Sequence, residues 1–230
     1  MTAAIPEQTI PILDFGSQYV QLIARRVREA GVQAVLVAPD ISIAKLREMN
    51  PVGLILSGGP ASVYEADAPR CDANIFDLGI PVLGICYGMQ IGAELLGGKV
   101  KPGVAAEYGA TRLHVLDNAA AEGHSGELFA GVPADTGVWM SHGDQVKELG
   151  ADFIPLASTP TCPLAAIRHK SRAFFGVQFH PEVTHTPHGG KILENFLYRV
   201  CGAAGTWRMG NFLDIAVDKV RRQVGAGRVV

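Results

Sequence analysis

The chain has 230 residues, 48% hydrophobic and 18% charged, with 20 Lys and Arg against 22 Asp and Glu for a net charge of −2. That much apolar chain can bury a sizeable core, which excludes a disordered tail or a disulfide-stapled miniprotein. Without a basic surplus, binding to nucleic acid or to an anionic membrane surface is not expected.

At about 150 residues per domain, the length predicts one full domain and a remainder. No window reaches 18 uninterrupted apolar residues, so no membrane span is expected. The first residues, MTAAIPEQTIPILDFG, lack the basic and long apolar regions of a secretory signal. Cys71, Cys86, Cys162 and Cys201 are scattered, with no CxxC pair. A reduced, cytoplasmic protein is the expectation, with each cysteine serving packing or chemistry.

The first hundred residues alternate short apolar runs with helical patterns. TIPILDF at 9–15 reads as a strand entering Gly16-Ser17, where Ser17 can cap a helix to Ala30 carrying Val20, Ile23, Ala24 and Val27 on one face. VQAVLVA at 32–38 is a second strand, a short helix follows near 42–48, and VGLILSGG at 52–59 is a third strand. IPVLGIC at 80–86 is the fourth, followed by a helix from Tyr87 to Leu96 that stops at Gly97-Gly98. Strands that are apolar throughout, alternating with helices, predict a parallel sheet covered on both faces.

Beyond residue 98 the pattern changes to shorter strands at 110–116, 137–140, 153–158, 163–168 and 173–179, with a helix at about 189–200. The expected fold is therefore α/β: a three-layer, doubly wound, flavodoxin-like sheet whose parallel core carries an antiparallel extension. A break at CGAAGTW precedes a helical stretch at 211–225, and the closing RVV reads as a strand cut short.

The sharpest chemical signal is Gly84-Ile85-Cys86-Tyr87-Gly88. A cysteine between a buried strand and a helix, with glycine two residues to either side, follows the logic of a nucleophile elbow. The helix N-terminus favours the thiolate, which at pH 7 is only about 3% of an ordinary thiol. The same pentapeptide also fits a small cysteine packed in a tight turn. A nucleophile needs a base and the base an orienting group; His180-Pro181-Glu182, after an apolar strand, can supply both. These residues alone point to thiol acyl transfer, with amidase, peptidase and thioesterase all open.

Ser57-Gly58-Gly59, at the end of another parallel strand, can offer backbone donors beside the elbow, at the carboxyl edge where open α/β sheets bind ligands. A phosphate-binding loop is the competing reading. His180, His185 and His188 lie close in sequence, but a loop with Pro181, Pro187, Gly189 and Gly190 and no nearby cysteine makes a metal site unexpected. Arg25, Arg26 and Arg28 read as a solvated helix face.

The motifs ILDFGSQY (12–19), LILSGGPASVY (54–64), PVLGICYGMQ (81–90), EYG (107–109), WMSHGD (139–144) and GVQFHPEVTHT (176–186) together cover about 170 residues. In this order they resemble a class I, triad-type glutamine amidotransferase, and within that class the amidotransferase domain of the GMP synthase family. The resemblance implies Cys86, His180 and Glu182 as a catalytic triad forming a glutamyl thioester. It also implies backbone N–H groups of Gly59 and Tyr87 as the oxyanion hole. Gly58, Gln90, Ser141, His142, Gly143 and Asp144 would hold glutamine. No metal or cofactor is implied for glutamine hydrolysis. ATP and Mg would serve a synthetase domain, joined in cis or docked in trans, that aminates XMP to GMP. The implied boundaries are 1–202 for the amidotransferase domain and 203–230 for a linker and the start of an ATP-pyrophosphatase domain. A homodimer is implied for the full-length enzyme.

Overall fold

The computed structural model describes residues 8–116 and 125–208, together with 220–221, 223–225 and 227. Among these residues nine strands form one sheet in the order β2-β1-β3-β4-β9-β8-β7-β5-β6. Its first half is parallel: β2 (Gln33–Val37), β1 (Thr9–Leu13), β3 (Leu54–Leu56), β4 (Val82–Ile85) and β9 (Phe174–Val177). The second half runs antiparallel through β8 (Ala166–His169), β7 (Phe153–Ser158), β5 (Lys99–Val115) and β6 (Asp135–Glu148). This is the expected parallel core with its antiparallel extension.

Because side chains alternate along a strand, strands covered on both faces feed two cores. Ile55, Leu83, Ile85, Phe175 and Val177 point to one face, where they meet α1 (Val20–Glu29) and α5 (Gly189–Asn195). Leu54, Leu56, Val82 and Phe174 point to the other, packing with α3 (Tyr87–Leu95), α2 (Ile43–Glu48) and a 3₁₀ turn at Ala73–Asp77. The interdigitated apolar area on these two faces is the main source of stability.

Most expected elements stand, with shifted ends. The first helix begins at Val20 rather than at Ser17, whose hydroxyl instead accepts from the Tyr19 N–H at 3.1 Å. Ser42 caps α2 by accepting from the Lys45 N–H. The expected strand 163–168 narrows to β8, and the expected helix 189–200 divides into α5 and one π-helical turn, Phe196–Val200. The expected strands 110–116 and 137–140 are parts of a much longer hairpin, β5 paired with β6, which joins Lys99 to Glu148 across an irregularity between Pro102 and Glu107. Pro102, Gly103, Gly109 and Gly143 break the apolar alternation that would have marked that length. A four-residue helix, α4 (Ser125–Leu128), precedes β6. The expected helix at 211–225 and the terminal strand lie largely outside the described residues. Among the described residues no helix is long and apolar enough to cross a membrane.

Candidate active site

Strand order brings together what the sequence holds far apart. Although β9 follows β4 by some ninety residues, it lies directly beside it, with Gly84 opposite Gly176 and Ile85 opposite Val177. The Cys86 N–H donates to the Val177 carbonyl at 2.8 Å, so the residue leaving β4 sits beside the segment leaving β9. That segment carries Gln178, His180 and Glu182, all buried.

Cys86 is one of only two non-glycine residues with positive φ among those described, at φ 52 and ψ −108. Such a backbone costs about 1–3 kcal/mol and persists only where its surroundings impose it. The flanking glycines show how they do so. A Cβ on Gly88 would lie 2.2 Å from the Leu56 carbonyl oxygen, and one on Gly84 would lie 2.5 Å from the Gly88 oxygen. Only glycine lets α3 start hard against β3 and β4, which turns the Cys86 side chain up at the sheet's carboxyl edge.

The His180 Nδ1 lies 2.8 Å from Glu182 Oε1, and both side chains are buried, Glu182 completely. The loop holding them is pinned from three directions. The His180 N–H donates to the Trp139 carbonyl, Thr186 Oγ1 donates to the His180 carbonyl at 2.7 Å, and Arg26 Nε donates to the Glu182 carbonyl at 3.1 Å. Arg26 is thus more than the solvated helix face expected of it. The Tyr19 ring meets the His180 imidazole edge-on at 5.1 Å between centroids.

Burial pulls the His180 imidazolium down. The hydrogen bond with Cys86 and the Glu182 carboxylate outweigh it and push the group up to about 10. A proton held on this ring next to the sulfur can balance the charge of an attacking thiolate and supply an acid for a leaving nitrogen.

Gly58 faces this pair: a Cβ there would stand 3.3 Å from His180 Cε1 and 3.7 Å from Cys86 Cβ. Gly59 packs against the Phe15 carbonyl and the Tyr87 ring. Tyr87 is the first residue of α3, where a backbone N–H has no partner within its helix, so the two positions can present donors together. The Ser57 hydroxyl is committed inward, accepting from the Phe15 N–H at 3.0 Å and donating to the Gly58 carbonyl at 2.8 Å. No helix follows this loop, whose next element is the 3₁₀ turn at Ala73–Asp77. The phosphate-loop reading therefore lacks both its hydroxyl and its helix dipole.

A cleft of about 590 Å³ opens over Cys86 and His180, lined also by Ser17, Tyr19, Gly59 and Gln90. Its far wall is Ser141, His142, Gly143 and Asp144 on β6, with Tyr108 at the rim. Every expected substrate residue except Gly58, which sits just beneath, reaches this cleft. Gln90 Nε2 donates to the Asp144 carbonyl at 2.9 Å and to Gln178 Oε1 at 3.2 Å, while Tyr64 donates its hydroxyl to Asp144 Oδ1 at 2.8 Å. Gln178 was not singled out from sequence. Fully buried, it donates from Nε2 to Cys86 Sγ at 3.6 Å; its signal was the period of two that places residues 178 and 180 on one side of an extended chain.

Of the three histidines of the HPEVTHTPH segment, His180 pairs with Glu182 and His185 packs its ring on Trp139 at 4.5 Å between centroids. Among the described residues the group drawn together as potential metal ligands is instead Glu107, His142 and Cys162. Burial pushes the Cys162 thiol up to about 12, and Thr159 and Thr161 donate their hydroxyls to the Glu107 carboxylate.

The profile of the family described as glutamine amidotransferase class-I matches residues 11–200. The chain belongs to that family. Alignments over nearly the whole of this chain add detail. The chain is 49% identical over all 230 residues to a GMP synthase (glutamine-hydrolysing) of Staphylococcus carnosus, covering 43% of that protein. It is 50% identical over 226 residues to one of Caldanaerobacter subterraneus, again covering 43%. This amidotransferase chain thus spans less than half the length of the curated relatives it matches. Among solved structures, a Thermoplasma acidophilum protein described as a GMP synthase subunit is 32% identical, with a TM-score of 0.75 over 93% of this chain and 100% of that one. A Thermotoga maritima glutamine amidotransferase, at 18% identity and a TM-score of 0.65, shares the fold.

Proposed function

We propose that this chain hydrolyses glutamine through a Cys86 thioester and supplies the ammonia for amination of XMP to GMP. Cys86 sulfur attacks the side-chain amide carbon, and the oxyanion that develops is held by the N–H groups of Gly59 and Tyr87. His180 gives its proton to the departing nitrogen, which leaves as ammonia. Water then adds to the thioester, giving a proton back to His180 as glutamate is released. Glu182 fixes the imidazole and balances its charge throughout. Gln90 and Ser141–Asp144 hold the amino-acid end of glutamine, close to Gly58.

The observation that carries this reading is the strained Cys86 elbow facing the buried His180–Glu182 pair across the floor of a polar cleft. The amination half rests on the relatives' names and on the chain's covering 43% of their length. We read residues 1–202 as the amidotransferase domain and 203–230 as a linker leading into an ATP-pyrophosphatase domain, present in cis or in trans. ATP and Mg would belong to that domain; glutamine hydrolysis here needs no cofactor. A cytoplasmic site of action and a homodimeric full-length enzyme fit the same reading. Glutamate and ammonia release from glutamine, compared with asparagine, peptides and esters, tests it. Selective glutamine turnover that rises when a synthetase domain is added is expected; general peptide or ester hydrolysis would overturn it.

A further inference from the structure

The EYG segment at 107–109 has no part in the chemistry above, yet its glutamate is tied into the cleft wall. Register places Glu107 directly opposite His142 across the β5–β6 hairpin, just past the irregularity that follows Pro102. His142 Nε2 lies 3.0 Å from Glu107 Oε2, and Nδ1 lies 3.0 Å from the Asp144 carbonyl oxygen. That carbonyl is the acceptor that Gln90 also uses. The turn between β7 and β8 closes over the far side of the carboxylate, where Thr159 and Thr161 donate to Oε1. Glu107 is thus wedged between two hydroxyls and a ring, and the ring holds the backbone of the substrate wall.

We propose that Glu107 is a positioning residue for glutamine: by orienting the His142 ring it keeps the Asp144 carbonyl, and with it the Ser141–Asp144 wall, in the geometry that receives the amino-acid end of the substrate. This rests on the glutamine reading of the cleft. Proton counting supports it. A carbonyl can only accept, so Nδ1 must carry a hydrogen. The contact between Nε2 and Oε2 needs a second one. With Oε1 already taking two hydroxyl donors, the ring can donate to the Asp144 carbonyl and to Oε2 at once only when both of its nitrogens carry hydrogen.

The groups facing this ring are Glu107 from β5, His180 beyond β9 and Cys162 in the β7–β8 turn. Burial, the strongest influence, lowers the ring's affinity for its second proton, His180 adds to this, and the Glu107 carboxylate opposes it. When that proton leaves as pH rises, His142 can keep one of its two bonds but not both. A glutamine at 107 removes the conflict. Its amide can donate to a neutral Nε2 while Nδ1–H stays on the Asp144 carbonyl.

The test is glutamine affinity between pH 5 and 8 in the 230-residue chain carrying Cys86→Ala, with Glu107→Ala and Glu107→Gln added singly. ¹⁵N NMR of the His142 ring is read in parallel, and melting curves confirm the fold. Glu107→Ala is expected to weaken binding roughly tenfold, the scale of losing a hydrogen bond to a charged group. Glu107→Gln should bind nearly as the parent does but lose the weakening that the parent shows as pH rises. The parent ring should report two protonated nitrogens at the acid end. Affinity within about twofold of the parent in Glu107→Ala, with the ring signals unmoved, would overturn the proposal. A folded parent that binds no glutamine would overturn the glutamine reading instead. The ring signals would then still decide whether Glu107 orients His142, and unmoved signals in Glu107→Ala would refute that as well.

Discussion

His180 Nδ1 and Glu182 Oε1 stand 2.8 Å apart with both side chains buried, two residues from each other in sequence. Pro181 between them fixes the backbone, which keeps the two side chains on one side of the chain. The carboxylate has one oxygen on the imidazole; its other oxygen, Oε2, has no hydrogen-bond partner among the described residues. Most of its charge is therefore directed at a single ring, and the imidazolium is the form it stabilises.

Glu182→Gln should lower the His180 titration midpoint from about 10 toward the ordinary histidine value. ¹H NMR of the His180 ring reads it directly. Glutamine turnover should fall by roughly 10²–10⁴-fold, the range of losing an oriented base. The same group shapes stability. Its folded pKa lies above the unfolded value, so its contribution is complete below about pH 6.5 and is lost as pH climbs through about 10. Melting temperature should decline across that window more steeply in the wild type than in His180→Gln.

The glycines of the elbow separate fold from chemistry. Gly88→Ala puts a methyl group 2.2 Å from the Leu56 oxygen, backbone that cannot step aside, and should cost about 3 kcal/mol in denaturant unfolding. The atoms nearest a Gly58→Ala methyl group are side-chain atoms of His180 and Ser17 at 3.3 and 3.4 Å and Cys86 Cβ at 3.7 Å. Its stability should change by less than about 1 kcal/mol, while turnover drops at least roughly tenfold because the reacting groups are displaced.

How much of this was legible in the sequence follows from local chemistry. The elbow could be read because its glycines and cysteine are contiguous, and His180 with Glu182 because they flank one proline. The parallel strands were legible as unbroken apolar runs. The long β5–β6 hairpin was not, since Pro102, Gly103 and Gly109 interrupt its alternation and pairing across the hairpin supplies what local preference lacks. Gln178 and the pairing of Glu107 with His142 depend on strand order and register, which no single segment encodes. Arg26 looked like surface because its target, the Glu182 carbonyl, lies 156 residues away.

Tyr64→Phe removes the hydroxyl that Asp144 Oδ1 accepts at 2.8 Å, along with that hydroxyl's contact with the Ser62 side chain. Glutamine KM should rise severalfold, about 1 kcal/mol, with kcat little changed, as expected for a loss confined to binding. Steady-state kinetics at saturating and limiting glutamine separate the two. A fall in kcat at constant KM would place Tyr64 in the chemical step.

The four thiols should differ sharply toward a small alkylating reagent. Burial pushes the Cys71 and Cys162 thiols up to about 12 and raises that of Cys201, which packs on Gly53. Near pH 7.5, iodoacetamide should modify Cys86 and leave the other three intact while the protein stays folded, as peptide mass mapping would report. Equal modification of Cys162 would mean that the turn over Glu107 opens readily.

The most direct test of the central claim is labelling with an electrophilic glutamine analogue, mapped by mass spectrometry with and without excess glutamine. One covalent event suffices, so slow turnover does not obscure the answer. Modification of Cys86 alone, blocked by glutamine and absent in Cys86→Ala, is the predicted result. Labelling spread over all four cysteines, and indifferent to glutamine, would contradict the account.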